Sequence, residues 1–429
     1  MIDHLFRHES GRMVSLLTRI FGVQNMDLAE DVMQDTLLKA VQQWPYSGIP
    51  QNPSAWLFKV AKNNALDIIR REKFQIHYAE DITHLLESEW TVIPTLNDLF
   101  LDSEIKDDQL RMIFTCCYPG LPAESQIALT LKTLCGFSVP EIAHAFLTNE
   151  ATINKRLYRA KQQIREERIR FEIPSGNELA DRLNNVLSTL YLLFNEGYSS
   201  SHADTLIRED LVDEAIRLTT LLTEHPNTNT PAVHALLALI YLHASRMQSR
   251  TDATGDIILL PEQDRSRWNQ DFISKGLYHL DRSAGGEKIT RYHMEAAIAS
   301  YHSTAESYEK TDWESILNIY NRLYTEFPSP VIGLNRAIVI AQLYGPEQGI
   351  KEIMTLSNAE LLEHYYLLPG TLGELYYRMK EYANAIAQIE RALELTDSAV
   401  EKRFLQKKLE KIHAEAKQHT KEDLHNRMN

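Results

Sequence analysis

The chain of 429 residues carries 45 Lys and Arg against 59 Asp and Glu, a formal net charge of −14, with 44% apolar and 24% charged residues. These are the proportions of an ordinary folded protein with room for two to four domains, and they exclude a disordered chain or one that coats nucleic acid through bulk positive charge. Local cationic faces remain open, because charge acts over about 8–10 Å at physiological salt.

No apolar run approaches the ~20 residues of a membrane span. The start, Met1-Ile2-Asp3-His4, lacks the basic and apolar regions of a signal peptide, so a cytoplasmic chain with no membrane partner is expected. Nearly every periodic segment repeats at 3.6 residues without convincing strand alternation, which predicts an all-α fold.

Residues 1–74 form a first helical unit. Inside it, the segment Ala29–Ala40 sets Glu30, Asp31, Gln34 and Asp35 beside an apolar stripe. Such a face is either simply solvated or docks a protein partner. The Gly/Pro-punctuated loop Tyr46–Pro53 follows, suited to pocketing a base that has left its stack. From Trp56 to Arg71, aromatics and amides are interleaved with Lys59, Lys62, Arg70 and Arg71, a mixture that suits unstacked bases better than an intact duplex. Taken singly, Trp56 and Phe58 read as core packing, whereas Lys59, Asn63 and Arg70 read as contact residues.

Residues 75–104 read as a linker whose charges, Glu80, Asp81, Glu87, Glu89, Asp98, Asp102 and Glu104, are all acidic. Residues 105–172 form a second helical unit. Its adjacent Cys116 and Cys117, with Cys135, lack the spacing of a metal site and read as buried reduced thiols; no cofactor is expected. Ser138-Val139-Pro140-Glu141 supplies the cap, proline and acid of a helix start. After the turn Leu147-Thr148-Asn149, a second helix runs from Glu150. This is a helix-turn-helix, whose second helix enters the major groove. Ile153 and Leu157 should pack inward. Glu150, Thr152, Asn154, Lys155, Arg156 and Arg159 then face solvent or DNA, amides and guanidiniums suiting base edges and the distal cations phosphates. Lys155, Arg156, Arg159, Lys161, Arg165, Arg168 and Arg170 are opposed nearby only by Glu166 and Glu167.

Pro174-Ser175-Gly176-Asn177 punctuates the boundary to a third part, residues 175–429. There Leu372-Gly373, Tyr376, Tyr382, Ala385 and Ala392 fall at the small and aromatic positions of a tetratricopeptide helix pair, and Ile316, Tyr320, Leu323 and Pro328 match half of another. Ile389 and Asp397 depart from that pattern. Such stacks offer a concave groove to a peptide or protein ligand. Glu262–Trp268 gathers acids, bases and an aromatic without a nucleophile–base pair or metal cage. Asp264, Arg265 and Trp268 are therefore expected to form a helix start or to hold the extension to the preceding helices. His202, His234, His243, His293 and His302 lack metalloenzyme spacing, and no catalytic residue is predicted.

In their order, Ala29–Ala40, Trp56–Arg71 and Ser138–Lys161 resemble the bacterial extracytoplasmic-function sigma factors of the sigma-70 family. Leu110–Cys117, Ala145–Leu147, Tyr191–Tyr198 and Glu262–Trp268 are similar to the subgroup with a C-terminal tetratricopeptide-like extension. Two small helical sigma domains followed by a helical-hairpin stack are what the resemblance implies, with core RNA polymerase and promoter DNA as partners. Asp31, Gln34, Asp35 and Leu38 would meet the polymerase. Trp56, Lys59, Lys62, Asn63, Arg70 and Arg71 would take the −10 element, and Thr152, Asn154, Lys155, Arg156 and Arg159 the −35 element. The acidic linker would lie in the polymerase's basic RNA channel, and the extension would control activity. Leu147 stands where the family's turn glycine is usual, and Asn154 where a basic residue is common. The competing reading is an operator-binding regulator with a tetratricopeptide sensor, which needs only the helix-turn-helix.

Overall fold

The computed structural model describes the chain except residues 1, 72–94, 147, 200–206, 287, 357–361, 363, 364 and 429; the side chains of 2–4, 102–105, 144, 145, 177 and 420–428 are also outside it. Most of the expected linker, His202 and Leu147 thus lie outside the described residues. Among the described residues the only β-type pairing is one isolated bridge, Thr251 to Ile257, and the fold is all-α. None of these helices is long and apolar enough to cross a membrane. Contacts divide the chain into two compact units, Met1–Asn195 with Arg217–Thr228, and Glu196–Ile216 with Asn229–Asn429.

In the first unit, α1 (Ile2–Phe21) buries Met13, Leu16, Leu17 and Ile20, spaced three and four apart along one face. It packs against α2 (Met26–Ser47), α3 (Pro53–Arg71) and α4 (Asp102–Cys116). Helix α3 buries Leu57, Ala61, Ala65 and Ile69 at fourfold spacing, which turns its opposite side outward. Then come α5 (Ala123–Thr133), α6 (Val139–Ala145) and α7 (Glu150–Glu166). Residues of both small helical units expected from the sequence fall in this one compact unit. Gly11 of α1 lies so close to Leu134 that a Cβ would collide with its carbonyl.

By this division α8 (Gly176–Tyr198) and α9 (Glu209–Glu224) each contribute to both units. Their share of the first unit closes helix ends. Arg182, 5% exposed, donates to the Phe114 carbonyl at 2.8 Å, Asn185 to the Cys117 carbonyl at 2.6 Å, and Arg217 to the Leu134 carbonyl at 3.1 Å. Those carbonyls belong to the last turns of α4 and α5, which have no intrahelical donors and carry the negative end of the helix dipole.

The second unit is built round α10 (Pro231–Ala244), buried on nearly every side and flanked by α11 (Gln270–Ser283) and α12 (Arg291–Thr304). Helical hairpins follow: α13 (Trp313–Glu326) with α14 (Pro330–Tyr344), α15 (Pro346–Met354), α16 (Leu367–Arg378) with α17 (Tyr382–Leu395), and finally α18 (Ala399–Met428). The tetratricopeptide positions behave as their sizes imply. Ala385 and Ala392 are fully buried, and a Cβ on Gly373 would press on the Ile389 side chain and the Ala385 carbonyl, so only glycine lets α16 and α17 close.

Cys116, Cys117 and Cys135 are buried free thiols, and burial pushes Cys117 up to about 11. Since Asn185 of α8 caps the turn that carries Cys117, a chain ended at residue 174 should expose it. Native thiol labelling is expected to be slow in the full chain and at least about tenfold faster in the shortened one, an opening energy of ~1.4 kcal/mol. Equal rates would mean that α8 does not protect this end.

Candidate nucleic-acid interface

Three helix faces of the first unit carry the residues singled out from the sequence. On α2, Asp31, Gln34, Asp35 and Leu38 are all exposed and recur at three- and four-residue spacing, so they share one face. Val41, 56% exposed, extends it by another turn. It went unnoticed in the sequence, although its spacing from Leu38 was there to find. An acidic face ending in exposed aliphatic side chains suits a protein partner better than a polyanion.

On α3, Lys59, Asn63 and Arg70 are exposed and, at spacings of four and seven, point the same way, with Arg71 exposed at the end. Asp67 is exposed among them. The other two residues expected to contact DNA are engaged within the fold. Trp56 is half-buried and meets Trp44 edge-on at 5.5 Å. The Lys62 ammonium donates to Asn97 Oδ1 and lies 5.8 Å from the Phe100 ring centre.

The helix-turn-helix forms as its capping residues imply. The Ser138 hydroxyl and backbone N–H both donate to Glu141 Oε2 at 2.7 Å, and Asn149 Oδ1 accepts from the Thr152 N–H at 2.8 Å and the Thr152 hydroxyl at 3.0 Å. Ile153 and Leu157 are buried, which leaves Asn154, Lys155, Tyr158 and Arg159 as the exposed stripe of α7. Tyr158, 63% exposed, is an addition; it lies three residues from Lys155. Thr152 is committed to the cap, and Arg156 is ion-paired to Glu124 at 2.5 Å.

Two more cations of α7 are matched from far along the chain. Lys161 Nζ lies 2.8 Å from both Asp27 Oδ1 and Glu30 Oε1, and Arg165 lies 3.1 Å from Asp27 Oδ2. The approach to Glu30 is an ion pair. Lys161 and Glu30 are nearly buried, their side chains 12% and 11% exposed, whereas Asp27 is open. Burial pushes the Lys161 ammonium down, but the Glu30 charge and the Asp27 hydrogen bond outweigh it and raise its pKa above the usual lysine range. Burial likewise pushes Asp27 up, yet Lys161 and Arg165 hold it below the usual carboxylate range. A second joint, Arg7 to Glu141 at 2.6 Å, ties α1 to the first helix of the helix-turn-helix.

In the second unit, Asp264 Oδ1 accepts from the Ser266 N–H at 3.0 Å and so caps a single 3₁₀ turn, Arg265–Arg267. Arg265 donates to the carbonyls of His302 and Ala305 at the end of α12, and Trp268 is buried. These contacts lie within the second unit. The described residues contain no group of three or more metal-ligating side chains.

Against known families, residues 5–75 match Sigma-70 region 2, residues 111–164 match Sigma-70 region 4, and residues 182–284 match a family of unknown function, DUF6596. An uncharacterized protein of Rhizobium meliloti is 36% identical over 393 residues, covering 91% of this chain and 92% of its own. The ECF RNA polymerase sigma factor SigM of Bacillus subtilis is 26% identical over 32% of this chain and 78% of its own. The ECF RNA polymerase sigma-E factor of Haemophilus influenzae is 28% identical over 36% of this chain and 79% of its own.

Replacing Lys161 by Met strands a nearly buried Glu30 carboxylate, so it should cost about 3–5 kcal/mol in denaturant unfolding, whereas Lys161→Met with Glu30→Met should recover most of that loss. The pH dependence follows from the two shifts. The lowered Asp27 contributes stability above its unfolded pKa near 3.8 that is lost as pH falls through its folded value; the raised Lys161 contributes below 10.5 and is lost only on further alkalinisation. The joint should therefore hold unchanged from about pH 5 to 9 and weaken in acid. An equal loss in the single and double variants would refute it.

Proposed function

The chain belongs to the extracytoplasmic-function branch of the sigma-70 family of RNA polymerase sigma factors, carrying a C-terminal helical extension, and from that premise we propose that it directs promoter-specific initiation by reading two DNA elements. In this reading the Asp31, Gln34, Asp35, Leu38 and Val41 face of α2 docks on core RNA polymerase. Lys59, Asn63, Arg70 and Arg71 take the strand of the −10 element, with Trp56 and Lys62 bracing that face. Asn154, Lys155, Tyr158 and Arg159 meet the −35 duplex, with Arg156 available once Glu124 releases it. The chain performs no chemistry in this account; the polymerase does.

The observation that supports this reading is one compact unit that holds the exposed acidic and aliphatic face of α2, the exposed cations and amide of α3 and a helix-turn-helix. An operator-binding regulator uses only the last of these and leaves α2 and α3 without a purpose. The extension acts, we infer, through the second DNA-reading unit, because Arg182, Asn185 and Arg217 close the ends of α4 and α5 beside it. Its groove is read as the place for a peptide or protein ligand.

Two classes of variant separate the faces. Asn154→Ala and Lys155→Ala should each weaken binding to a −35 duplex by about 1–3 kcal/mol, while Arg159→Ala should weaken all duplexes alike and flatten the salt dependence. Asp35→Arg should prevent co-elution with core polymerase yet leave duplex binding intact. Duplex binding that ignores the α7 variants, or polymerase binding that ignores Asp35→Arg, would remove the assignment.

A further inference from the structure

Where α12 ends in the second unit, three arginines gather without an acid among the described residues to match them. Arg265 spends one nitrogen, Nη1, on the carbonyls of His302 (2.5 Å) and Ala305 (2.8 Å), while its Nη2 is buried and unpartnered. Arg250 donates to the Tyr198 carbonyl and lies over the Tyr198 ring at 3.9 Å. Arg246 approaches the same ring at 5.8 Å, and among the described residues its side chain makes no hydrogen bond or ion pair. No described carboxylate comes within ion-pair distance of any of the three. The acid whose charge reaches Arg265, Glu309, is hydrogen-bonded to Ser307 instead.

Neutral donors collect beside them. Trp268 is 3% exposed, its ring 4.6 Å from the Arg265 guanidinium, and its indole N–H has no partner. Trp313 packs edge-on to His302 at 5.3 Å, and its indole N–H and the His302 Nδ1 are likewise buried and unpartnered. A buried donor without an acceptor costs about 1–3 kcal/mol, and grouped guanidiniums repel one another, so this arrangement is costly unless something else supplies acceptors and negative charge. The histidines register the imbalance. Burial, and then the charges of Arg246 and Arg265, hold His302 down to about 3; burial, then Arg246 and Arg250, hold His243 well below its usual range.

We propose that Arg246, Arg250 and Arg265, with the indole N–H groups of Trp268 and Trp313, form a binding site for a phosphate dianion, either free phosphate or a phosphomonoester. Among the described residues, three guanidiniums against the one distant charge of Glu309 leave an excess that a monoanion cannot balance, which argues against a carboxylate or the diester of a nucleic-acid backbone. Guanidinium forks and indole N–H donors match the several acceptor oxygens of a phosphate.

The test is calorimetric titration of the full chain with inorganic phosphate and with glycerol phosphate, at ionic strength held constant with chloride. Saturable binding with a dissociation constant below about 1 mM is expected, weakened at least about tenfold in Arg246→Gln, whose side chain makes no hydrogen bond or ion pair among the described residues. Trp313→Phe, which deletes one donor and keeps the ring, should weaken it by a smaller factor. Glycerol phosphate binding more than about tenfold tighter than phosphate would identify an organic phosphate as the ligand, and equal binding would identify the free ion. Absence of saturation, binding unchanged in Arg246→Gln, or acetate competing as well as phosphate would each overturn the proposal. None of these readings involves polymerase or DNA, so the site stands or falls separately from the promoter-reading role.

Discussion

The nearly buried ion pair between Lys161 and Glu30, completed by Asp27 and Arg165, fixes how α7 meets α2 in the first unit. It joins α7, the second helix of the helix-turn-helix, to the start of α2. It adds to the packing of α1 on α4 and to the Arg7–Glu141 pair, which already join regions 2 and 4. A buried pair of this kind contributes modestly to stability in itself, because desolvation offsets most of the attraction. Its larger effect is on specificity: a nearly buried lysine must have its acids, so only one seating of α7 against α2 is satisfactory. The same joint takes two cations out of the polyanion-binding balance of α7. What remains exposed is the amino-terminal half of the helix, which is the half that a helix-turn-helix presents to base edges.

The extension is built into this arrangement through the ends of helices. Arg182, Asn185 and Arg217 are the donors that the last carbonyls of α4 and α5 lack, and two of the three bring positive charge to the negative end of a dipole. A sigma factor of two domains could finish those ends with its own residues or with water. Here they are finished by Arg182 and Asn185 of α8 and Arg217 of α9. The net charge of −14 fits the same picture. A chain with that balance gains little from nonspecific contact with DNA, and a few cations stay exposed on α3 and α7.

Much of this was legible from residue order. The inward pair Ile153 and Leu157 predicted the outward stripe of α7, Ser138 and Asn149 marked the helix starts, and the small residues Gly373, Ala385 and Ala392 marked where hairpins close. These signals are local, and local periodicity carries them. What the sequence did not reveal is of another kind. Lys161 finds its acids 134 and 131 residues away, and Arg156 finds Glu124 on a neighbouring helix. Nothing in a run of cations says which of them an acid from elsewhere has already matched. For the same reason the contacts of Lys62 with Asn97 and of Trp56 with Trp44 were not visible in the sequence. Arg265 and Trp268 were conspicuous by composition, but their bonds to the end of α12 and their unpartnered donors needed three dimensions.

The central claim is that this chain selects promoters for RNA polymerase. Run-off transcription with bacterial core polymerase, on DNA from upstream of the chain's own gene, tests it most directly. The account predicts transcripts from a defined start that appear only when the full chain is added and are lost with Asn63→Ala. Binding to that DNA without polymerase, combined with no start-site selection when polymerase is present, would contradict it and favour a regulator that reads an operator alone.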